Sequence, residues 1–407
     1  MAELPDRAEV VIVGAGPAGL SAAAELGARG IRGVVVLERE PVAGGVPRHC
    51  GHSPFGLREF RRPMFGPAYA RALAARAVAA GARLFTRVTV TALLPGPRLQ
   101  LSTPDGTGEI AARAVLLATG ARESSRAERL IGGTRPAGVL TTGALQALVY
   151  GAGQRPFRRP VILGTELVSF SAVLTCRHGG IRPVAMVEPG SRITARAPAA
   201  LLPRLLGIAL LTGTDVEAVL GRDRVEAVAL RGPGGARSLP ADGLVVTGRF
   251  RPEASLVRAS HLVHDRATGG PEIDECGRCS DPAFFAAGNG LRPVETAGWC
   301  WAEGRAVARA IAADLRGGGP ARTAERIAVA GDAIRYVLPQ RVGAGGETAF
   351  RHFQLRLGRP FRGTLTVTAG GRVVARRRVD SLPERRLLLP VPDRAGATVI
   401  AAEEAGP

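Results

Sequence analysis

An apolar strand running into glycines at G-x-G-x-x-G spacing, a second strand–turn–helix–strand unit in mid-chain, and a closing set of short alternating stretches predict the fold class. It is α/β: two nested Rossmann-like domains, followed by a small C-terminal β-sandwich. The 407 residues exceed what one core ordinarily organises, so two or three domains are expected.

Each element follows from local pattern. Residues 9–13, EVVIV, form a buried strand by their β-branched run. Gly14, Gly16 and Gly19 come next, with Pro17 and Ala18 among them, and an Ala-rich helix follows. VVVLERE is the second strand, reaching Glu38 and Arg39. Gly14 permits the tight turn, Gly16 lets the backbone approach a pyrophosphate, and Gly19 lets helix pack on strand. The helix start offers unpaired N–H groups and positive potential to phosphates. Glu38 stands near the roughly 20-residue separation at which an acid binds ribose hydroxyls. The unit therefore predicts an adenine dinucleotide.

Residues 84–120 read as a β-meander closing in the strand AVLLATG. A mirror of the first unit follows. PVILG is a strand, 166–178 a helix, RPVAMVE a strand ending at Glu188, 208–232 a meander and DGLVVTG a terminal strand. Residues 273–289 give a further strand ending at Gly288-Asn289, then a helix over about 296–315 and a Gly-rich linker over 316–322. The expected divisions are 1–155 and 248–318 for a split first domain, 156–247 for the second and 323–407 for the sandwich.

The formal charge of +19 raises the question of nucleic acid, but the pattern argues against it. Every basic residue is Arg, Asn occurs once, at Asn289, and the arginines are dispersed rather than clustered with aromatics. Five cysteines in a long chain do not read as a disulfide framework. The acidic start lacks a signal-peptide pattern and no apolar run reaches bilayer length, so a reducing cytoplasm and no membrane span are the expectation.

VIVGAGPAGLSAA, ATGARE at 118–123 and FFAAGN, in that order, resemble the two-dinucleotide-binding-domain flavoproteins of the glutathione-reductase-like class. The resemblance covers most of residues 8–318 and implies FAD in the first domain and an NAD(P)-like second domain. It carries cofactor-binding roles onto Gly14, Gly16, Pro17, Ala18, Gly19, Glu38, Arg39, Gly44, Gly45, Thr119, Gly120, Gly288 and Asn289. Asn289 departs from the family's usual Asp, whose carboxylate bonds the ribitol chain; an amide can also accept and donate there. GGVPRHCGHSPFGLREF, IGGTRPAGVLTTGALQ and RPVETAGW resemble, more narrowly, FAD-bearing alpha subunits of heteromeric dehydrogenases. That group includes opine oxidases, hydroxyproline and proline dehydrogenases, hydrogen cyanide synthase and, more distantly, the sarcosine oxidase alpha chain. It implies a second flavoprotein and a small [2Fe–2S] protein as partners, with an amine or amino acid as substrate.

In the flavoproteins this chain resembles, glycines spaced after the acid as Gly44 and Gly45 are after Glu38 bring the chain back beside the flavin, which implies that the following residues are catalytic candidates. His49 and His52 suit flavin protonation, or simply pack round the cofactor. Arg48 would stabilise an anionic reduced flavin. Cys50 has no near partner for a redox disulfide. Cys276 and Cys279 form a C-x-x-C that reads as a redox pair, half a metal or iron–sulfur site with Cys300 and Cys50, or an incidental spacing. No second close pair supports a cluster, so neither metal nor [2Fe–2S] is expected in this chain. Cys176 reads as core, and His178, His261, His264 and His352 as structural. Trp299 and Trp301 pack near the flavin or face a partner.

In the second unit Glu166 replaces the glycine that would approach a pyrophosphate, and Ser169 replaces the packing glycine. A carboxylate there repels phosphate and fills the approach, although Glu188 keeps the ribose position. The second domain is thus expected to keep its fold with a degraded NAD(P) site. Three functions fit: an FAD subunit exchanging electrons with a partner, a stand-alone NAD(P)H-dependent reductase, or a dinucleotide-binding scaffold.

Overall fold

The computed structural model describes residues 4–195, 201–317, 324–343, 348–392 and 396–404. Most of the expected linker over 316–322 lies outside them.

The strand Arg7–Val13 lies at the centre of a seven-stranded sheet. It pairs in parallel with Val34–Glu38 on one side and with the end of Gly106–Leu117 on the other. Helix α1 (Pro17–Ala28) makes the crossover, the handed connection that parallel pairing requires. Helix α2 (Gly66–Ala79) leads to Arg83–Thr86 on the far edge. The expected meander is present as Thr89–Leu94 and Arg98–Thr103, antiparallel to the long strand. The long strand's last residues also receive Phe284–Ala286 in parallel, so the chain returns to this sheet late. That return strand is shorter than the 273–289 pattern suggests. Asp274 folds residues 274–278 into a turn by accepting from the N–H groups of Cys276 (2.8 Å) and Arg278 (2.9 Å).

The second domain repeats the design with a five-stranded parallel sheet. Its order is Ala209–Thr212, Ala185–Glu188, Pro160–Leu163, Gly243–Val246 and Val139–Thr141. The sheet starts earlier in the chain than the expected break after residue 155. Strand Val139–Thr141, with the short helix α3 (Thr142–Gln146) behind it, belongs here. Three residues carry too little periodicity to announce a strand; backbone pairing with Gly243–Val246 makes it one. The meander is also displaced by one strand. Ala209–Thr212 joins the parallel sheet, and Asp215–Leu220, Ala227–Gly232 and Gly235–Pro240 form the antiparallel ribbon. Helix α4 (Leu167–His178) packs behind the sheet through Phe170, Val173 and Cys176. Two crossing connections join the domains, Ala121–Arg122 pairing antiparallel with Arg251–Pro252.

Helix α5 (Ala297–Leu315) lies against α1 and buries Val307, Ala308 and Ile311. Beyond it, two small sheets share a core that includes Val337, Phe353, Leu355, Leu365, Val367 and Ile400. This is the sandwich the alternating stretches predict. Among the described residues no helix is long and apolar enough to cross a membrane.

Candidate dinucleotide sites

The first cradle sits where the strand Arg7–Val13 turns into α1. Gly14 has φ +105°, a conformation L side chains rarely adopt, and its N–H bonds Leu37 O at 2.8 Å. Gly16 caps α1 from an extended conformation, with no side-chain cap on the helix's first N–H groups. The 40–45 loop returns here. Gly44 N–H donates to Ala15 O at 2.7 Å, and a Cβ on Gly45 would lie 2.9 Å from the Gly16 Cα. Glu38 is buried at its strand end and accepts from the N–H groups of Ala15 (2.9 Å) and Glu40 (3.0 Å). Arg39 beside it is exposed.

The 118–120 turn and the 288–290 turn close the cradle. Thr119 Oγ1 donates to Glu253 O at 2.7 Å, and Gly120 O accepts from Glu253 N at 2.8 Å. A Cβ on Gly288 would meet that of Ala18 at 2.8 Å, so α1 passes directly under this turn. Asn289 does not project freely. Its Nδ2 donates to Glu295 O (3.0 Å) and its Oδ1 accepts from Glu295 N (2.7 Å). These glycine contacts, the open helix start and the buried acid suit a dinucleotide pyrophosphate and ribose.

The catalytic candidates fall into two groups. Arg48 is held by three partners. It donates to His49 Nε2 (2.9 Å) and Val42 O (2.6 Å) and pairs with Glu40 (3.0 Å). His49, accepting from Arg48, keeps its neutral-form proton on Nδ1; burial and then the Arg48 charge lower its pKa. Cys50 and His52 face the second domain. Cys50 Sγ lies 3.5 Å from Gln146 Oε1, Gln146 Nε2 donates to Ser171 Oγ at 2.8 Å, and Ser171 Oγ meets His52 Nε2 at 2.6 Å. Burial, then the neighbouring Glu123 carboxylate, push the Cys50 thiol up to about 12, and burial lowers His52. Gln146 closes the IGGTRPAGVLTTGALQ segment and Ser171 lies in the 166–178 helix, but neither is marked by any role in the sequence. Glu123 is also unmarked there by any role, though it ends the ATGARE segment. It spans the domain junction, accepting from Gly143 N (2.9 Å) and Gly248 N (3.1 Å), and its burial raises its pKa.

The second cradle has the same backbone and a different content. Gly164 turns with φ +119°, and Glu166 occupies the N-cap position of α4. The Glu166 carboxylate lies across the turn. Its Oε2 would be 2.6 Å from a Cβ on Gly164 and 2.7 Å from one on Gly248. Ser169 Oγ donates to it at 3.2 Å and also meets Thr247 Oγ1 at 2.5 Å. Burial raises its pKa, partly offset by its own backbone N–H and by the Arg129 guanidinium. Glu188 is engaged inside the domain, accepting from Thr165 Oγ1 and from Gly190 N (2.9 Å). The turn that should meet a pyrophosphate is filled by an acid, so these residues do not fit NAD(P) in the ordinary mode.

All five cysteines are buried thiols. Burial holds Cys176, Cys276 and Cys300 at about 12 and raises Cys279 further. Trp299 lies between two guanidiniums, Arg58 at 4.0 Å and Arg386 at 3.9 Å, the latter from the sandwich.

Two nested dinucleotide folds with an intact first cradle define an FAD-dependent oxidoreductase. More particularly, the chain belongs to the pyridine nucleotide-disulphide oxidoreductase family, whose model matches residues 8–304. It is similar to the opine oxidase A subunit of Agrobacterium tumefaciens (strain Ach5), 28% identical over 347 residues. That match covers 77% of this chain and 67% of the relative. It is similar to the alpha subunit of sarcosine oxidase from Rhizobium meliloti (strain 1021), 29% identical over 217 residues, 51% of this chain and 20% of that one. The corresponding opine oxidase protein of the same Rhizobium strain is spanned over only 55% of its length. In fold, the chain resembles T. acidophilum thioredoxin reductase, with TM-score 0.64, 21% identity, and 76% of this chain and 99% of that one covered. It also resembles L-proline dehydrogenase from P. horikoshii, with TM-score 0.60, 20% identity, and 77% and 57% covered.

Proposed function

We propose that this chain is the FAD-carrying subunit of a heteromeric dehydrogenase acting on an amine or amino acid, of opine or hydroxyproline type. It passes electrons between a partner flavoprotein and an acceptor, with a small iron–sulfur protein as a further partner. The observation that carries this reading is the asymmetry between the cradles: an open glycine turn at Gly14–Gly19 and an acid-filled one at Gly164–Ser169. With no ordinary nicotinamide site, reducing equivalents need a protein route. The likeness to single subunits of opine and sarcosine oxidases supports the same route.

In this reading Gly14, Gly16, Pro17, Ala18 and Gly19 receive the FAD pyrophosphate. Glu38, flanked by Arg39, holds the ribose, while Gly44, Gly45, Thr119, Gly120, Gly288 and Asn289 enclose the rest. Bound FAD supplies one- and two-electron redox chemistry. Around it, His49 keeps a neutral imidazole because Arg48 donates to its Nε2. His52 fixes the approach of the second domain through Ser171. The buried thiols suit a reducing cytoplasm.

Anaerobic titration of the FAD-loaded chain with NADH and NADPH tests the reading by flavin absorbance. Bleaching by dithionite alone is the expected result. Rapid bleaching by either nicotinamide would replace it with a stand-alone reductase. A flavin that nothing reduces, yet that complex assembly requires, would replace it with a scaffold.

A further inference from the structure

The sandwich grips one segment of the first domain, residues 288–296. Tyr336 Oη donates to Pro293 O at 2.9 Å. Arg356 donates to Val294 O at 2.9 Å and pairs with the Glu295 carboxylate at 3.3 Å; Arg386 pairs with its other oxygen at 3.5 Å. Gln354 bonds both Arg292 and Glu303. Arg292, 1% exposed, also donates to Gly288 O at 2.9 Å and is paired with Glu303. Glu303 in turn accepts from Gly288 N at 3.3 Å.

These bonds converge on Asn289. Both of its amide atoms are tied to the backbone of Glu295, and the Glu295 side chain, 7% exposed, is held by the two sandwich arginines. Gly288 rests on Ala18 of α1, and Gly290 faces the Thr119 hydroxyl. The segment is therefore pinned between the cradle and the sandwich. Its backbone is a short 3-10 turn over Gly288–Gly290 with no sheet ladder of its own beyond Ala286. Without side-chain anchors such a segment has little to fix it.

We propose that the C-terminal sandwich is a positioning domain for the cofactor site, with Glu295 as the positioning residue through which Arg356 and Arg386 set Asn289. The proposal rests on the reading that FAD occupies the first cradle. The two are then coupled in both directions: docking of the sandwich tightens FAD, and FAD tightens the docking. Among the described residues the Arg356 side chain bonds Val294 and Glu295 and no cradle residue, so its effect on FAD is expected to travel through the segment.

The test uses the full chain. Arg356→Met removes the Val294 and Glu295 contacts; Tyr336→Phe removes only the bond to Pro293 and guards against a folding failure. FAD affinity is read from the fluorescence of released flavin, and hydrogen exchange is followed in 288–296 and in the sandwich strands. The expected result is about tenfold weaker FAD for Arg356→Met and a smaller loss for Tyr336→Phe. Exchange should quicken in 288–296 while the strands stay protected. In an Asn289→Ala background, Arg356→Met should cost little further affinity, because the path it acts through is already cut. Unchanged affinity despite faster exchange, or equal losses with and without Asn289, would overturn the coupling. If the wild-type chain takes up no FAD, the functional reading fails by itself. Unchanged exchange in 288–296 of Arg356→Met would then overturn the positioning role.

Discussion

Glu166→Gly should open the second dinucleotide site. The carboxylate lies across the turn between Gly164 and Gly248, where a pyrophosphate would approach the start of α4. A full charge about 5 Å from a phosphate, at an effective dielectric of about 20, costs roughly 3 kcal/mol. The Arg129 guanidinium and the raised pKa of Glu166 both reduce that figure. A net gain of about 1–2 kcal/mol, or roughly 5- to 30-fold tighter binding, is the working expectation. The turn itself should survive, because glycine is accepted at an N-cap and Ser169 keeps its bond to Thr247. NADH affinity is measured by nicotinamide fluorescence, with Glu166→Gln as the second variant. Gln removes the charge and keeps the bulk, so a gain from Gln assigns the block to repulsion, and a gain from Gly alone assigns it to volume. A folded Glu166→Gly chain that binds NADH no better than wild type would refute the reasoning, as would a wild-type chain that already binds it at micromolar concentration.

Gly16→Glu is the reciprocal change. A Cβ there meets nothing nearer than 4.0 Å, so the chain should fold and be purified free of FAD; a yellow, fully loaded variant would contradict the cradle. Asp274 predicts a pH effect. Burial, then Glu275, raise it from 3.8 to about 6, so the folded chain holds its proton more tightly than the unfolded one. The Asp274 contribution to stability should therefore fall as pH rises from about 4 to 6, by at most about 3 kcal/mol, and stay level above; the difference between urea titrations of the wild type and Asp274→Asn should show that slope. Thiols held at about 12 should resist alkylation at pH 8 until denaturant is added, so early labelling of Cys50 would show an open second-domain interface.

Much of this protein is legible in local pattern. The first cradle is written in Gly14, Gly16, Gly19 and Glu38, because a turn, a close approach and a helix start make demands that few residues meet. The displaced carboxylate of the second cradle is equally visible, since Glu166 stands within five residues of its strand. The sandwich shows through its alternation alone. What the sequence does not show is which distant groups meet. Val139–Thr141 became a strand through pairing more than a hundred residues away, a long-range choice no three-residue pattern can encode. Arg48 reads in the sequence as a charge for a reduced flavin, and the fold shows three of its five N–H groups engaged by Glu40, Val42 and His49. Asn289 and Glu295, six residues apart, gained their meaning from Arg356 and Arg386, which lie on another domain. The sequence by itself determined most of the helices and longer strands and the glycine–acid pattern of the first cradle, because those depend on neighbours along the chain. The tertiary structure alone decided which side chains are already engaged, because burial leaves each polar group to be satisfied by whatever the fold brings within reach.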